Sequence, residues 1–157
     1  MHHFLDLEVW FFLDDIFLNQ GKYTVEILKR FGMMDCKEIT TPMASNLKLL
    51  YDASLESVDA TIYRQIIGSL MYLMNTRPDI HFVVNTLSRF LTNPRQVHMV
   101  AAKHILRYLK GTIEYGFNYA ANQRINLHGY VDSDCAGSAT DRKSTLGCCF
   151  SLGSGMI

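Results

Sequence analysis

From Phe4 to Leu18, apolar and aromatic residues crowd both sides of the acidic pair Asp14-Asp15, in Phe4-Leu5-Asp6-Leu7-Glu8-Val9-Trp10 and in Ile16-Phe17-Leu18. Two apolar runs joined by a short acidic connection predict a β-hairpin. After Gly21 the period lengthens. Val25, Ile27, Leu28 and Phe31 make the buried side of a helix, and Gly32 stands where helices end. Residues 33–58 read mostly as a connection, with Thr40-Thr41-Pro42 and the polar run from Asp52 to Asp59 as punctuation.

Three helices are predicted next. Asp59 can cap the first, whose core side is Ile62, Tyr63, Ile66, Ile67, Leu70, Met71 and Leu73, with Gly68 permitting close approach of a neighbour. Thr76 and Asp79 have the spacing of a capping pair for the second, with Pro78 tolerated in its first turn and Ile80, Val83, Val84, Leu87 and Leu91 on one apolar face. The third starts at Asn93-Pro94, buries Val97, Val100, Ala101, Ile105, Tyr108 and Leu109, and ends near Gly111. The period then shortens to that of strands. Tyr115 to Tyr119 leads across a polar turn into a strand ending at Asp132, Thr145 to Leu152 forms the next, and Gly153-Ser154-Gly155 turns into a third.

Charge changes this picture. The 157 residues carry 15 basic and 15 acidic groups, but not evenly. Residues 1–60 hold ten acids and five bases, a balance of −5, whereas residues 77–112 hold six bases (Arg77, Arg89, Arg95, Lys103, Arg107, Lys110) and one acid, Asp79, a balance of +5. Such asymmetry points to a polyanion partner for one face. Lys103, Arg107 and Lys110 recur at i, i+4 and i+7 on the third helix, opposite its apolar face. A basic stripe on a rigid rod can track phosphates without reading bases; taken alone, a basic stripe at helical spacing is more often a solubilising face. His98 and His104 read as packing or surface histidines rather than metal ligands.

The four cysteines, Cys36, Cys135, Cys148 and Cys149, have neither the paired spacing of a zinc site nor the density of a disulfide scaffold, so reduced thiols are expected. No leader-like start and no run of about 18 apolar residues is present, which predicts an intracellular chain, cytoplasmic or nuclear, with no membrane partner.

The spelling of several stretches goes further. Tyr63-Arg64-Gln65-Ile66-Ile67-Gly68-Ser69-Leu70-Met71-Tyr72-Leu73, Thr76-Arg77-Pro78-Asp79-Ile80, Ala101-Ala102-Lys103-His104-Ile105-Leu106-Arg107-Tyr108-Leu109-Lys110-Gly111-Thr112 and Gly129-Tyr130-Val131-Asp132-Ser133-Asp134 resemble the Pol polyprotein of copia-type retrotransposons. The resemblance covers essentially the whole chain. It implies an α+β fold in three parts: a palm-end β-hairpin and helix (1–32), a helical thumb and connection (33–112), and a truncated ribonuclease H-like sheet (113–157). Asp132 corresponds to the first ribonuclease H carboxylate and so to a metal ligand, while Asp134 is a turn or supporting group. Magnesium would be the cofactor, and an RNA:DNA hybrid or primer-template the partner, held by Lys103, Arg107 and Lys110 and completed by the missing parts of the Pol polyprotein.

Departures from the family's pattern are Asp6 in place of glycine, Cys135 in place of tryptophan and Leu146 in place of serine. Asp14-Asp15 is read as a turn rather than as the polymerase's acidic signature, which the family carries upstream of the hairpin. Two-metal phosphodiester chemistry needs several carboxylates around the ions. The chain is therefore expected to be a catalytically incomplete segment of a reverse transcriptase with ribonuclease H. The alternatives are a non-catalytic hybrid-binding module and a decayed gene product.

Overall fold

The computed structural model describes residues 2–13, 15–44, 56–120, 126–134 and 145–156. The first apolar run is itself a hairpin. β1 (His2–Phe4) pairs with β2 (Leu7–Phe12), with Phe4 opposite Leu7, across a two-residue turn in which Leu5 and Asp6 both have positive φ, 48° and 60°. That is the signature of a type I′ turn, the kind whose twist matches paired strands. β2 then pairs with β3 (Asp15–Asn19), Phe12 opposite Asp15, so the predicted hairpin forms around the acidic connection. Asp14 lies outside the described residues.

α1 (Gly21–Arg30) buries Thr24, Ile27 and Leu28 and is closed by Gly32 at φ +65°, the left-handed position that glycine takes without a Cβ clash. α2 (Ala60–Leu73) is capped as its sequence predicts: the Asp59 carboxylate accepts from the amides of Thr61 at 2.7 Å and Ile62 at 3.4 Å. Its buried face holds Tyr63, Ile66, Ile67, Leu70 and Leu73, while Ile62 and Met71 remain 47% and 42% exposed.

The next helix departs from its expected cap. A short 3-10 turn (Pro78–Ile80) precedes α3 (His81–Ser88), and neither start carries a side-chain cap. Thr76 and Asp79 have other partners: Thr76 Oγ1 donates to Gln20 Oε1 at 2.7 Å, and Asp79 pairs with Arg77. Long-range bonds have outcompeted the local cap.

α4 (Gln96–Lys110) begins with a one-sided cap in which Arg95 N donates to His98 Nδ1 at 3.0 Å. Its buried face is turned from the expected one. His98, Met99, Ala102 and Leu106 join Ala101, Ile105, Tyr108 and Leu109, whereas Val100 is 54% exposed. Four helices thus enclose one core in which Ile27, Ile67, Leu70, Val84, Leu87, Ile105 and Leu109 are fully buried. Each such side chain contributes about 1.5–3 kcal/mol by leaving water.

β4 (Gly116–Ala120) does not join the strands that follow it. It pairs antiparallel with β3, Phe17 opposite Asn118, and completes a four-stranded sheet of order β1-β2-β3-β4. The helices are therefore an excursion between two neighbouring strands. β5 (Leu127–Asp134), β6 (Thr145–Leu152) and β7 (Gly155–Met156) form a second antiparallel sheet, with Leu127 opposite Leu152 and Asp132 opposite Gly147. Its apolar side chains are open to solvent, among them Leu127, Tyr130, Val131, Phe150 and Leu152. The two sheets meet where Ala120 N donates to Ser154 Oγ at 2.8 Å and the Tyr119 ring lies over Gly155. A Cβ at Gly155 would stand 2.0 Å from that ring, so no side chain fits. The chain is thus mixed α/β, with four α-helices and two small antiparallel sheets among the described residues.

Candidate functional site

The root of the helical excursion is built around one buried cation. Arg77 is 2% exposed, and its guanidinium is engaged by three groups. Nε donates to Asp79 Oδ1 at 3.0 Å and Nη2 to Asp79 Oδ2 at 2.7 Å; Nη1 donates to Thr112 O at 2.9 Å and Nη2 also to Thr112 Oγ1 at 2.7 Å. The rings of Tyr108 and Tyr115 lie 5.5 and 5.4 Å from the guanidinium carbon. Tyr108 donates its hydroxyl to the same Asp79 oxygen at 2.7 Å. Only a planar fork of donors meets a carboxylate and a backbone carbonyl together, which is why lysine cannot replace it. Burial alone would raise the Asp79 carboxyl, but the bonds from Arg77 and Tyr108 and the Arg77 charge outweigh it and hold it below its ordinary value. Burial and the Asp79 bond push the Tyr108 hydroxyl upward.

This node ties the end of α4 to the start of the 3-10 turn, and Thr76 beside it reaches Gln20 at the end of the hairpin. On the other side of α1, Glu8 is only 6% exposed. Its Oε2 accepts from Lys22 N at 3.1 Å, and its Oε1 lies 3.7 Å from Lys22 Nζ. A carboxylate here complements the positive end of the helix dipole. The bond of Glu8 to Lys22, 14 positions on, and those that tie Arg77 to Thr112 and Asp79 to Tyr108, 35 and 29 positions on, were not legible in the sequence. The turn of the first hairpin is fastened too: Tyr72 of α2 donates its hydroxyl to Leu5 O.

The basic stripe of α4 divides. Arg107 Nε donates to Lys37 O at 2.7 Å, Lys110 Nζ donates to Cys36 O at 2.7 Å and lies 3.9 Å from Glu38, and His104 Nε2 is 3.0 Å from Thr41 O. These three side chains fasten the connection after α1 onto α4. Lys103 alone of the stripe is fully on the surface. Asp132 lies in β5 with its backbone opposite Gly147. Among the described residues no three His, Cys, Asp or Glu side chains gather to hold a metal ion. Nor is any helix among the described residues long and apolar enough to cross a membrane.

Comparison with known proteins agrees with this architecture's origin. The chain is 41% identical over 153 residues to the retrovirus-related Pol polyprotein from transposon RE1 of Arabidopsis thaliana, covering 98% of this chain and 10% of that protein. It is 40% identical over 149 residues to the corresponding protein from transposon TNT 1-94 of Nicotiana tabacum, covering 90% of this chain and 11% of that one. An uncharacterized mitochondrial protein of Arabidopsis thaliana matches at 38% over 158 residues, all of this chain and 65% of its own length. No family model and no solved structure matches. A mixed α/β chain whose helices are rooted at both ends in one sheet is thereby placed among transposon proteins. Over nearly its whole length it is homologous to a segment of the retrovirus-related Pol polyproteins of copia-type transposons, and it spans about a tenth of the length of the Pol polyproteins it matches.

Proposed function

We propose that this chain is the thumb-bearing segment of a reverse transcriptase, with the first strands of its ribonuclease H. The observation that supports this reading is the helical excursion itself. The chain leaves the hairpin sheet after β3 through α1, and after α2, α3 and α4 returns to it through β4, directly beside β3. A lobe fixed at both ends in one sheet, and braced there by Arg77 and Tyr72, can press on a duplex as a rigid body. Its Leu5-Asp6 turn would face the primer end, and Lys103 would meet a phosphate. β5 and β6 would open the ribonuclease H sheet, with Asp132 as its first carboxylate and magnesium as the ion it helps to hold in the larger protein.

The chain alone should bind an RNA:DNA hybrid through phosphates and transform neither strand, since two-metal chemistry needs carboxylates beyond Asp132. The test is fluorescence anisotropy with a labelled hybrid and a labelled primer-template, alongside primer-extension and RNA-cleavage assays in magnesium. Binding that weakens steeply with salt and ignores base sequence is expected, with no product in either assay. Absence of binding at low salt would remove the thumb reading, and any turnover would remove the claim of incompleteness.

A further inference from the structure

Where the end of α1 meets the outer sides of α2 and α4, the surface forms a pocket of about 300 Å³. Its floor is apolar, made by Phe31, Ile62 and Leu106; its polar lining is Arg30, Gln65 and Lys103. No carboxylate lines it among the described residues. The larger cleft between the hairpin sheet and α1, about 660 Å³, is different: Glu8, Glu26 and Glu114 there outnumber Lys22 and Lys29, and Lys22 is beside Glu8. Of the two hollows only the smaller has an uncompensated positive lining.

Two features of that pocket lack a folding explanation. Arg30 sits in the last turn of α1, where a cation complements the helix dipole, but Lys103 sits in the middle of α4, where that argument does not reach. Two cations around one hollow repel each other, and an anion between them would reverse the sign of that energy. Ile62 belongs by periodicity to the apolar side of α2, yet it is left 47% exposed at this pocket. An apolar surface kept open beside paired cations matches a molecule with an apolar body and a charged head. The volume, at the lower end of the range for ligand sites, suits a single-ring compound.

We propose that this pocket binds a small organic anion, its apolar or aromatic body on Phe31, Ile62 and Leu106 and its phosphate or carboxylate head between Arg30 and Lys103. Gln65 supplies an amide N–H to the head. The site shares Lys103 with the thumb reading but needs neither a duplex nor the hairpin turn, so a small anion can bind whether or not a hybrid does.

The test is a ¹H–¹⁵N NMR titration of the full chain with phenyl phosphate and with benzoate, and with benzyl alcohol and inorganic phosphate as controls. Saturable shifts at Arg30, Phe31, Gln65 and Lys103 are expected with phenyl phosphate or benzoate, and the tighter of the two identifies the head group. Benzyl alcohol and inorganic phosphate should each bind at least about tenfold more weakly, a difference of about 1.4 kcal/mol. Combined Arg30→Gln and Lys103→Gln should weaken phenyl phosphate and benzoate by about tenfold or more, and Ile62→Ser by a smaller factor. All three side chains are on the surface, so the variants should retain the parent's melting transition. The proposal is overturned if benzyl alcohol binds as tightly as phenyl phosphate, if the shifts map elsewhere, if the double substitution leaves binding unchanged, or if neither anion saturates at millimolar concentration.

Discussion

Arg77 and Asp79, two residues apart, close a two-point ion pair at 3.0 and 2.7 Å in which the cation is nearly all buried and the carboxylate is one-third exposed. The pair is the inner half of a larger junction. The same guanidinium holds Thr112 at the end of α4, and the same carboxylate holds Tyr108. Removing one partner of such a pair leaves the other charge uncompensated, which costs more than the pair contributes.

Arg77→Ala should therefore lower stability by roughly 3–5 kcal/mol, and Arg77→Lys should recover only part of that because an ammonium cannot reach Asp79 and Thr112 together. Urea denaturation followed by circular dichroism measures both. A loss below about 1 kcal/mol for Arg77→Ala would mean that water has entered the junction.

His98 provides an acid-sensitive contact at the start of α4. It is 0% exposed, its Nδ1 accepts from Arg95 N, and its ring stacks on Phe90 at 3.8 Å. The proton of the neutral ring is thus on Nε2, a buried atom with no hydrogen-bond partner. Burial, with the nearby Arg95 charge, holds its pKa below the ordinary 6.5. A lowered folded-state value means that the unfolded chain takes up the proton first. His98 should therefore contribute stability that is present above about pH 6.5 and is lost as pH falls through the folded value. His98→Gln, which can still accept from the Arg95 amide, should flatten this part of the stability-pH curve relative to the parent. Identical curves for the two proteins between pH 7 and 5 would remove the assignment.

The turn at Leu5 and Asp6 holds two non-glycine residues at φ 48° and 60°. An L-residue pays about 1–2 kcal/mol in this region, somewhat less for aspartate. Leu5→Asn with Asp6→Gly installs the pair that type I′ turns favour and should stabilise the chain by roughly 1 kcal/mol. Equal or lower stability in thermal melts would show that the side chains of Leu5 and Asp6 contribute contacts that outweigh the backbone strain.

The three residues of the basic stripe should separate by experiment. Arg107→Gln and Lys110→Gln each break a bond to the connection and should cost on the order of 1 kcal/mol of stability. Lys103→Gln should leave stability within about 0.5 kcal/mol and lower the log-log salt slope of hybrid binding by up to about 0.9. An unchanged slope for Lys103→Gln would make that residue a solvated surface cation as far as duplexes are concerned.

Hydrogen exchange should follow the two sheets rather than chain order. Amides of residues 62–109 should exchange slowly, those of 116–120 should follow the hairpin sheet, and those of 127–134 and 145–156 should exchange fastest, since the apolar faces of β5 and β6 remain in water. Equal protection of residues 116–120 and of 127–134 and 145–156 would contradict the division.

Much of this architecture is written locally. The period of Tyr63, Ile66, Ile67, Leu70 and Leu73 defines a helix face because those positions return to one side of any helix, and Asp59 caps it using amides two and three residues away. Strand β6 from Thr145 to Leu152 has the limits its composition predicts, and the spelling of the helices was enough to show the likeness to transposon Pol polyproteins. What tertiary structure decided is partner choice across distance. Nothing near Asn118 in the chain says that it will lie opposite Phe17 rather than beside β5. A regular basic spacing on α4 could not show that Arg107 and Lys110 would be drawn onto carbonyls 70 and 74 positions away, leaving Lys103 free to face solvent. The spacing of Thr76 and Asp79 fits a cap, but packing brought Gln20 to Thr76 and Tyr108 to Asp79, and these distant partners replaced it. Periodicity fixes which side of an element is apolar; which polar groups meet depends on the competition among all the partners that folding brings within reach.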